Sequence, residues 1–111
     1  MFDFTTNYTF KWPVVVKLPQ LDGTFKEQTF EAVWKAQDSN EVAKAQAAHP
    51  KGAMYALLEM ALESTVGLND GGSEMAINPA NLDRIVGATP YAMGLCASYW
   101  DAMNGRLREK N

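Results

Sequence analysis

The sequence predicts an α+β fold, in which an N-terminal antiparallel β-hairpin is followed by three to four α-helices. Three observations support this fold class. Apolar and polar residues alternate in two stretches before position 36, which is the period of a strand. Apolar spacing becomes helical after Asp38. Helix start signals, an Asn-Pro and a Thr-Pro pair, precede the last two apolar segments. With 111 residues, the chain is expected to form a single domain, 1–111.

The predicted hairpin spans about residues 9–35. The apolar side chains that share one of its faces are Phe10, Trp12, Val14, Val16 and Leu18 in the first strand and Phe30, Ala32 and Trp34 in the second. Asp22 and Gly23 favour a turn between the strands. Because Pro13 has no N–H to donate, its strand is expected to have a free edge. Two strands alone are marginally stable in water, so the aromatic face must pack on helices or on another chain.

The first two helices are predicted at about 39–48 and 52–65. Asp38 is placed to cap the first of them, which ends before Pro50. The second helix carries one apolar face, formed by Met54, Leu57, Leu58, Ala61, Leu62 and Thr65. The glycine-rich segment 67–74 that follows is predicted to be a flexible loop.

The last two helices are predicted at about 79–86 and 90–104. Asn78 and Thr89 are their expected N-caps, and Gly87 and Gly105 are expected to end them in a left-handed turn. In the final helix the residues that are not apolar, Gly94, Ser98 and Asp101, form one narrow stripe. Nearly all the rest of its surface must therefore be covered, either as the central core helix or by a partner.

Composition and charge exclude several classes of protein. The formal net charge is −3 and the sequence pI is about 5.0, which argues against nucleic-acid binding. Basic residues do occur at 106–110, and we interpret them as favourable charge after a helix C-terminus. No apolar run reaches the ~18 residues of a membrane span. The N-terminus lacks the features of a signal peptide, so we expect a location in the cytoplasm.

Residues that could carry chemistry are isolated from one another. Cys96 lies inside an apolar run, and His49 is the one histidine of the chain. Glu59 and Glu63 sit one predicted helical turn apart but have no further ligand beside them. The acidic loop 67–74 does not match the EF-hand spacing. We therefore expect no enzyme activity, no cofactor and no metal site.

Three segments resemble those of a known family. They are YTFKWPVVVKLP from Tyr8 with QTFEAVWK from Gln28, then INPANL from Ile77, and finally the stretch from Pro90-Tyr91 through Tyr99-Trp100 to Lys110-Asn111. In order and spacing they are similar to the small tail assembly chaperones of long-tailed, non-contractile (siphovirus-type) bacteriophages and prophages. The resemblance spans nearly the whole chain.

This resemblance implies a function without covalent chemistry. Such chaperones hold the long, helical tape measure protein in the host cytoplasm until tail tube subunits polymerise around it, and they are absent from the finished virion. A longer form, made by translational frameshifting, contacts the tail tube protein. Apolar grooves would mask the hydrophobic stripe of the partner helix. We also expect weak self-association.

The candidate partner contacts are aromatic and apolar residues of the last helix: Tyr91, Leu95, Tyr99, Trp100 and Met103. The alternative for each position is an ordinary place in the core. Two other functions remain open at this point. One is a small self-associating structural protein of the tail, such as a completion or connector protein. The other is a subunit of an enzyme whose active site lies on another chain.

Overall fold

The N-terminal strands form the long hairpin that the alternation predicts. The computed structural model describes residues 3–105, in which β1 spans Thr9–Pro19 and β2 spans Phe25–Lys35. The two strands pair antiparallel over their whole length, from Thr9 opposite Lys35 to Pro19 opposite Phe25. Their alternating side chains bury one face, as predicted, because that face carries the large apolar residues.

Four helices follow within the described residues, which confirms the α+β class. They are α1 (Ser39–Ala48), α2 (Ala53–Ala61), α3 (Pro79–Gly87) and α4 (Thr89–Met103). The carboxylate of Asp38 accepts hydrogen bonds from the backbone N–H groups of Asn40 and Glu41, at 2.8 and 3.2 Å, and so caps α1. Asn78 caps α3 in the same way, through the N–H of Asn81 at 2.9 Å.

The predicted helix 52–65 is too long. Helix α2 ends at Ala61, and the next residues form strand β3 (Leu62–Val66), which pairs antiparallel with β2. Ser64, Thr65 and Val66 have weak helix propensity, and the last two are β-branched residues that favour strands. Pairing with β3 also satisfies the second edge of β2, so tertiary hydrogen bonding overrides the helical pattern. The sheet order is β1-β2-β3.

Segment 67–74, predicted as a loop, contains a small hairpin of two two-residue strands, β4 (Asn69–Asp70) and β5 (Ser73–Glu74). Gly71 and Gly72 form its turn with φ values of 63° and 91°. Glycine is needed at both positions because other residues rarely adopt positive φ.

Two expected helix ends differ from the prediction. Gly87 lies inside α3 and has no left-handed conformation, while Gly105 does, with φ of 71°. The N-cap of α4 is Ala88 instead of Thr89, and no side chain caps this helix. Because α3 and α4 are separated by Ala88 alone, there is no room for a left-handed turn between them. The basic segment at 106–110 lies outside the described residues.

Helix α4 lies at the centre of the core, against the inner face of the sheet. The rings of Trp34 and Tyr99 meet edge-on at 5.3 Å between centroids. The buried apolar side chains of the cluster are Val14, Val16, Phe30, Ala32, Trp34, Val42, Tyr55, Leu57, Leu58, Ala61, Leu62, Leu82, Ile85, Leu95 and Tyr99. The indole N–H of Trp34 donates to the hydroxyl of Ser98 at 3.3 Å, which allows a polar atom in this core.

The buried and exposed sides of α4 do not follow the predicted stripe of residues that are not apolar. Ser98, from the polar stripe, is buried, whereas the apolar residues Met93 and Ala97 are exposed. Within the described part of this chain one apolar side of the helix is not covered, so the core accounts for only part of the apolar surface of α4. The hydroxyl of Ser98 is hydrogen-bonded to Trp34 in the core, whereas Met93 and Ala97 face solvent.

Candidate functional site

The predicted contact residues of α4 point mainly into the protein itself. Leu95 and Tyr99 are 0% and 1% exposed, so of the two alternatives for them the structure supports the core. Trp100 and Met103 are half-buried against the same cluster. The half-buried Tyr91 donates a hydrogen bond from Oη to Oε1 of Gln28 at 2.8 Å. These five side chains do not form one accessible surface.

The hydroxyl of Tyr99 has a structural partner. It accepts a hydrogen bond from the backbone N–H of Gln37 at 3.1 Å, two residues after the end of β2. Burial raises the pKa of Tyr99, so the phenol stays protonated at neutral pH. The ring and its hydroxyl together fix α4 to the end of the sheet.

An open apolar groove of about 480 Å³ lies between α4 and β1. Its lining consists of Trp12, Pro13, Val15, Lys17 and Pro19 from β1, Phe25 from β2, and Thr89, Pro90, Met93, Gly94, Ala97, Ser98 and Asp101 from α4. Met93 is 58% exposed and Phe25 is 62% exposed. Large apolar side chains with this exposure are typical of a binding surface when they line one concave site.

The hydrogen bonding of the hairpin leaves one edge of β1 unpaired with another strand of the described residues. Gln20 N–H donates to the carbonyl of Thr24, and Ala36 N–H donates to the carbonyl of Tyr8, both at 2.8 Å. The backbone N–H and C=O groups of even-numbered residues in β1 therefore point toward β2. In an antiparallel ladder the odd-numbered positions face the other way, toward the free edge. The sequence predicted a free edge at Pro13, and β1 is indeed an edge strand.

Helix α4 and two prolines limit access to that edge. Pro13 and Pro19 occupy odd positions and present no N–H there. Between them, the carbonyl oxygen of Val15 lies so close to Gly94 that a Cβ atom built on the glycine would be 2.7 Å away. The missing side chain of Gly94 thus lets the helix approach the backbone of β1. A partner in the groove would therefore contact mainly side chains and few backbone hydrogen-bonding groups.

Charged groups mark the two ends of the groove. Among its lining residues, Lys17 is the one cation and Asp101 is the one anion. The rest of the lining is apolar or small. Such a surface can bind an apolar ridge.

The residues with reactive side chains have structural roles. Burial raises the pKa of Cys96 to about 11, so the thiol is not ionised at neutral pH. His49 accepts the N–H of Lys51 at Nδ1, at 3.0 Å, and its Nε2 lies 3.1 Å from Oε1 of Glu59. Glu63 is not on the same helix as Glu59, because it belongs to β3. Between residues 3 and 105 no group of three His, Cys, Asp or Glu side chains could hold a metal ion.

The acidic loop is tied to the protein by its own carboxylates. Glu74 accepts hydrogen bonds from the N–H of Gly67 at 2.7 Å, the N–H of Leu68 at 3.0 Å and the hydroxyl of Thr65 at 3.1 Å. These bonds, that of Gly67 first, hold the pKa of Glu74 below its ordinary value. Asp70 pairs with Arg84 at 2.7 Å, which lowers the pKa of Asp70. Both carboxylates therefore position the β4–β5 hairpin.

We expect Glu74→Gln to reduce the loss of stability in acid. Because the pKa of Glu74 is lower in the folded state than its ordinary 4.5, its carboxylate stabilises the fold above that value. This stabilisation is lost as the pH falls through the folded pKa. Urea unfolding at a series of pH values from neutral to acidic should show a shallower dependence below about pH 4.5 in the variant. Equal curves for the variant and the wild type would contradict the role of Glu74.

Sequence reasoning missed the groove residues Met93, Ala97 and Phe25. The spacing of Met93 and Ala97, one turn apart, was visible but was not separated from the core pattern of α4. Within residues 3–105, no helix has the length and apolar character to cross a bilayer. No protein-family model, curated protein or solved structure matches this chain.

Proposed function

We propose that this protein is a tail assembly chaperone of a bacteriophage, which binds the tape measure protein and keeps it soluble until the tail tube polymerises. The groove between β1 and α4 is the observation that carries the proposal. It is apolar and open, and its lining includes the exposed side chains of Met93 and Phe25. Together with the family resemblance of the sequence, it supports a protein that binds apolar surface.

A helix is the partner that suits this groove. An extended segment would bind by pairing with the edge of β1, but Pro13, Pro19 and the contact of Val15 with Gly94 interfere with a continuous ladder. A helix satisfies its own backbone and needs only an apolar stripe. Helix α4 from Tyr91 to Asp101 rises by about 15 Å, so the wall of the groove matches about three turns of a partner helix.

The proposed mechanism is masking by many weak contacts. Each chaperone covers a short length of the tape measure helix, so a long partner binds many copies. Modest affinity at each site allows tube subunits to replace the chaperones one after another. On this proposal the protein acts in the cytoplasm of the bacterial host without a cofactor and is absent from the virion. A frameshifted longer form would bring the tail tube protein to the same complex.

Co-expression with the tape measure protein of the same phage tests the proposal. We expect the chaperone to keep that protein soluble and to co-purify with it. Met93→Glu should abolish both effects, because it places a charge in the apolar groove. Met54→Glu is the matched control, since Met54 is also exposed, at 39%, but lies outside the groove lining. Aggregation of the tape measure protein with wild-type chaperone, or equal effects of the two variants, would contradict the proposal.

The second candidate is a small structural protein of the tail, such as a completion or connector protein. The tip of the hairpin favours it, because the apolar side chains of Leu21 and Phe25 are exposed there. An apolar tip of this kind can insert into a neighbouring subunit. Purified virions separate the two functions: a structural protein stays in the particle, and a chaperone is absent from it.

A further inference from the structure

The two ends of the groove carry opposite charges because α4 and β1 run antiparallel. Tyr91 at the start of α4 contacts Gln28, which pairs with Val16 of β1. Seven residues later, Ser98 contacts Trp34, which pairs with position 10 of the strand. Lys17 therefore lies at the Tyr91 end of the groove, and Asp101 lies at the other end.

We propose that a second copy of this chain covers the groove in a two-fold symmetric dimer. A two-fold axis through the middle of the groove places Lys17 of one copy opposite Asp101 of the other, and it does so twice. The same axis brings the apolar centres together, where Met93 and Ala97 of each copy face those of its mate. The groove is thus complementary to itself in both charge and apolar character.

The symmetry follows from the charge arrangement. If both ends carried the same charge, a two-fold dimer would place like charges together, and the contact would be unfavourable. Asp101 is engaged in an interaction within its own chain, but a carboxylate has about four lone-pair sites and can accept a further donor. The inference goes beyond the proposed function, since it needs only this chain. If the tape measure helix uses the same groove, dimer and complex exclude each other.

Sedimentation velocity of the full chain over a range of concentrations tests the proposal. The wild type should associate reversibly to a dimer. Lys17→Glu and Asp101→Lys should each raise the dissociation constant by about tenfold or more, because each creates two like-charge contacts. An equal mixture of these two variants should regain association. In the mixed dimer the carboxylate introduced at position 17 of one copy faces the ammonium introduced at position 101 of the other, and the second pair is the native one.

Three results would overturn the proposal. The first is a wild type that stays monomeric at millimolar concentration. The second is a mixture of Lys17→Glu and Asp101→Lys that associates no better than either variant alone. The third is a Lys26→Glu variant that weakens association as much as Lys17→Glu does. Lys26 is the matched control, because it is exposed on the same hairpin but does not line the groove. Met93→Glu gives a second readout that is independent of the folding of the Asp101 variant: it must weaken the dimer, and a wild-type dissociation constant would reject the groove as the interface.

Partner binding is measured separately, so the two proposals can fail independently. Loss of self-association with normal solubilisation of the tape measure protein rejects the dimer alone. The dimer should also weaken by roughly tenfold or more between low and high salt, because salt screens its end charges, whereas apolar capture of a helix should change little.

Discussion

Replacing Leu95 with alanine is expected to lower the free energy of unfolding by about 2–5 kcal/mol. Leu95 is 0% exposed and lies at the centre of the cluster that joins α4 to the sheet. Removal of three buried methyl(ene) groups loses their transfer free energy and leaves a cavity in a close-packed interior. Urea unfolding followed by far-UV circular dichroism measures the change, with the denaturant slope compared between the proteins.

Met93→Ala is the matched control on the same helix. Its side chain is 58% exposed, so truncation should change the free energy of unfolding by no more than about 0.5 kcal/mol. Leu95→Ala and Met93→Ala thus compare a core position with a groove position two residues apart on the same helix. A Leu95→Ala protein as stable as the wild type would show that α4 does not pack as described.

Gly94→Ala is expected to destabilise the protein by about 1–2 kcal/mol, although alanine is the better helix former. The new Cβ would lie 2.7 Å from the carbonyl oxygen of Val15 and 3.2 Å from a methyl group of Val16. The first contact is with backbone, so α4 or β1 must shift. This overpacking outweighs the gain of about 1 kcal/mol from removing a helical glycine.

Gly87→Ala provides the opposite expectation for the same chemical change. Gly87 also lies in a helix, its φ is negative, and no atom lies within 4 Å of an added Cβ. This variant should be more stable than the wild type, by up to about 1 kcal/mol. Thermal unfolding of both variants checks the pair. A stabilised Gly94→Ala protein would mean that helix and edge strand are further apart than 2.7 Å implies.

The sequence predicted the hairpin well because its signal is local and strong. Alternation over positions 10–18 and 30–34 defines a buried face, and a slip of one residue would turn the aromatic side chains of that face to solvent. The helix starts at Ser39 and Pro79 were predictable for a similar reason, since the capping groups of Asp38 and Asn78 act on residues two or three positions away.

Strand β3 could not be predicted in this way. Leu62 and Thr65 continue the apolar spacing of α2, so the periodicity gives no reason to end the helix at Ala61. What decides the conformation of 62–66 is the unpaired edge of β2, which lies about thirty residues earlier in the chain. Hydrogen bonding to a strand that is distant in the sequence cannot be seen in the apolar spacing of residues 62–66 themselves.

The groove was missed because it exists only where two elements cross. Aromatic residues were chosen as contacts since they anchor interfaces, but cores use the same side chains, and Tyr99 is an example. The side of α4 that faces outward depends on the approach of Gly94 to β1. Sequence spacing alone gives a stripe on the helix and does not say which stripe meets the strand.

The prolines of β1 also determine how long any contact at this edge can last. A partner that adds a strand to a sheet is held by a row of backbone hydrogen bonds, and in its extreme form this pairing is as persistent as a fibril. Pro13 and Pro19 interrupt such a row at both ends of the groove. Binding there must depend on side chains, whose contacts break one at a time. Strand-to-strand pairing between copies of this chain would likewise be interrupted at the two prolines.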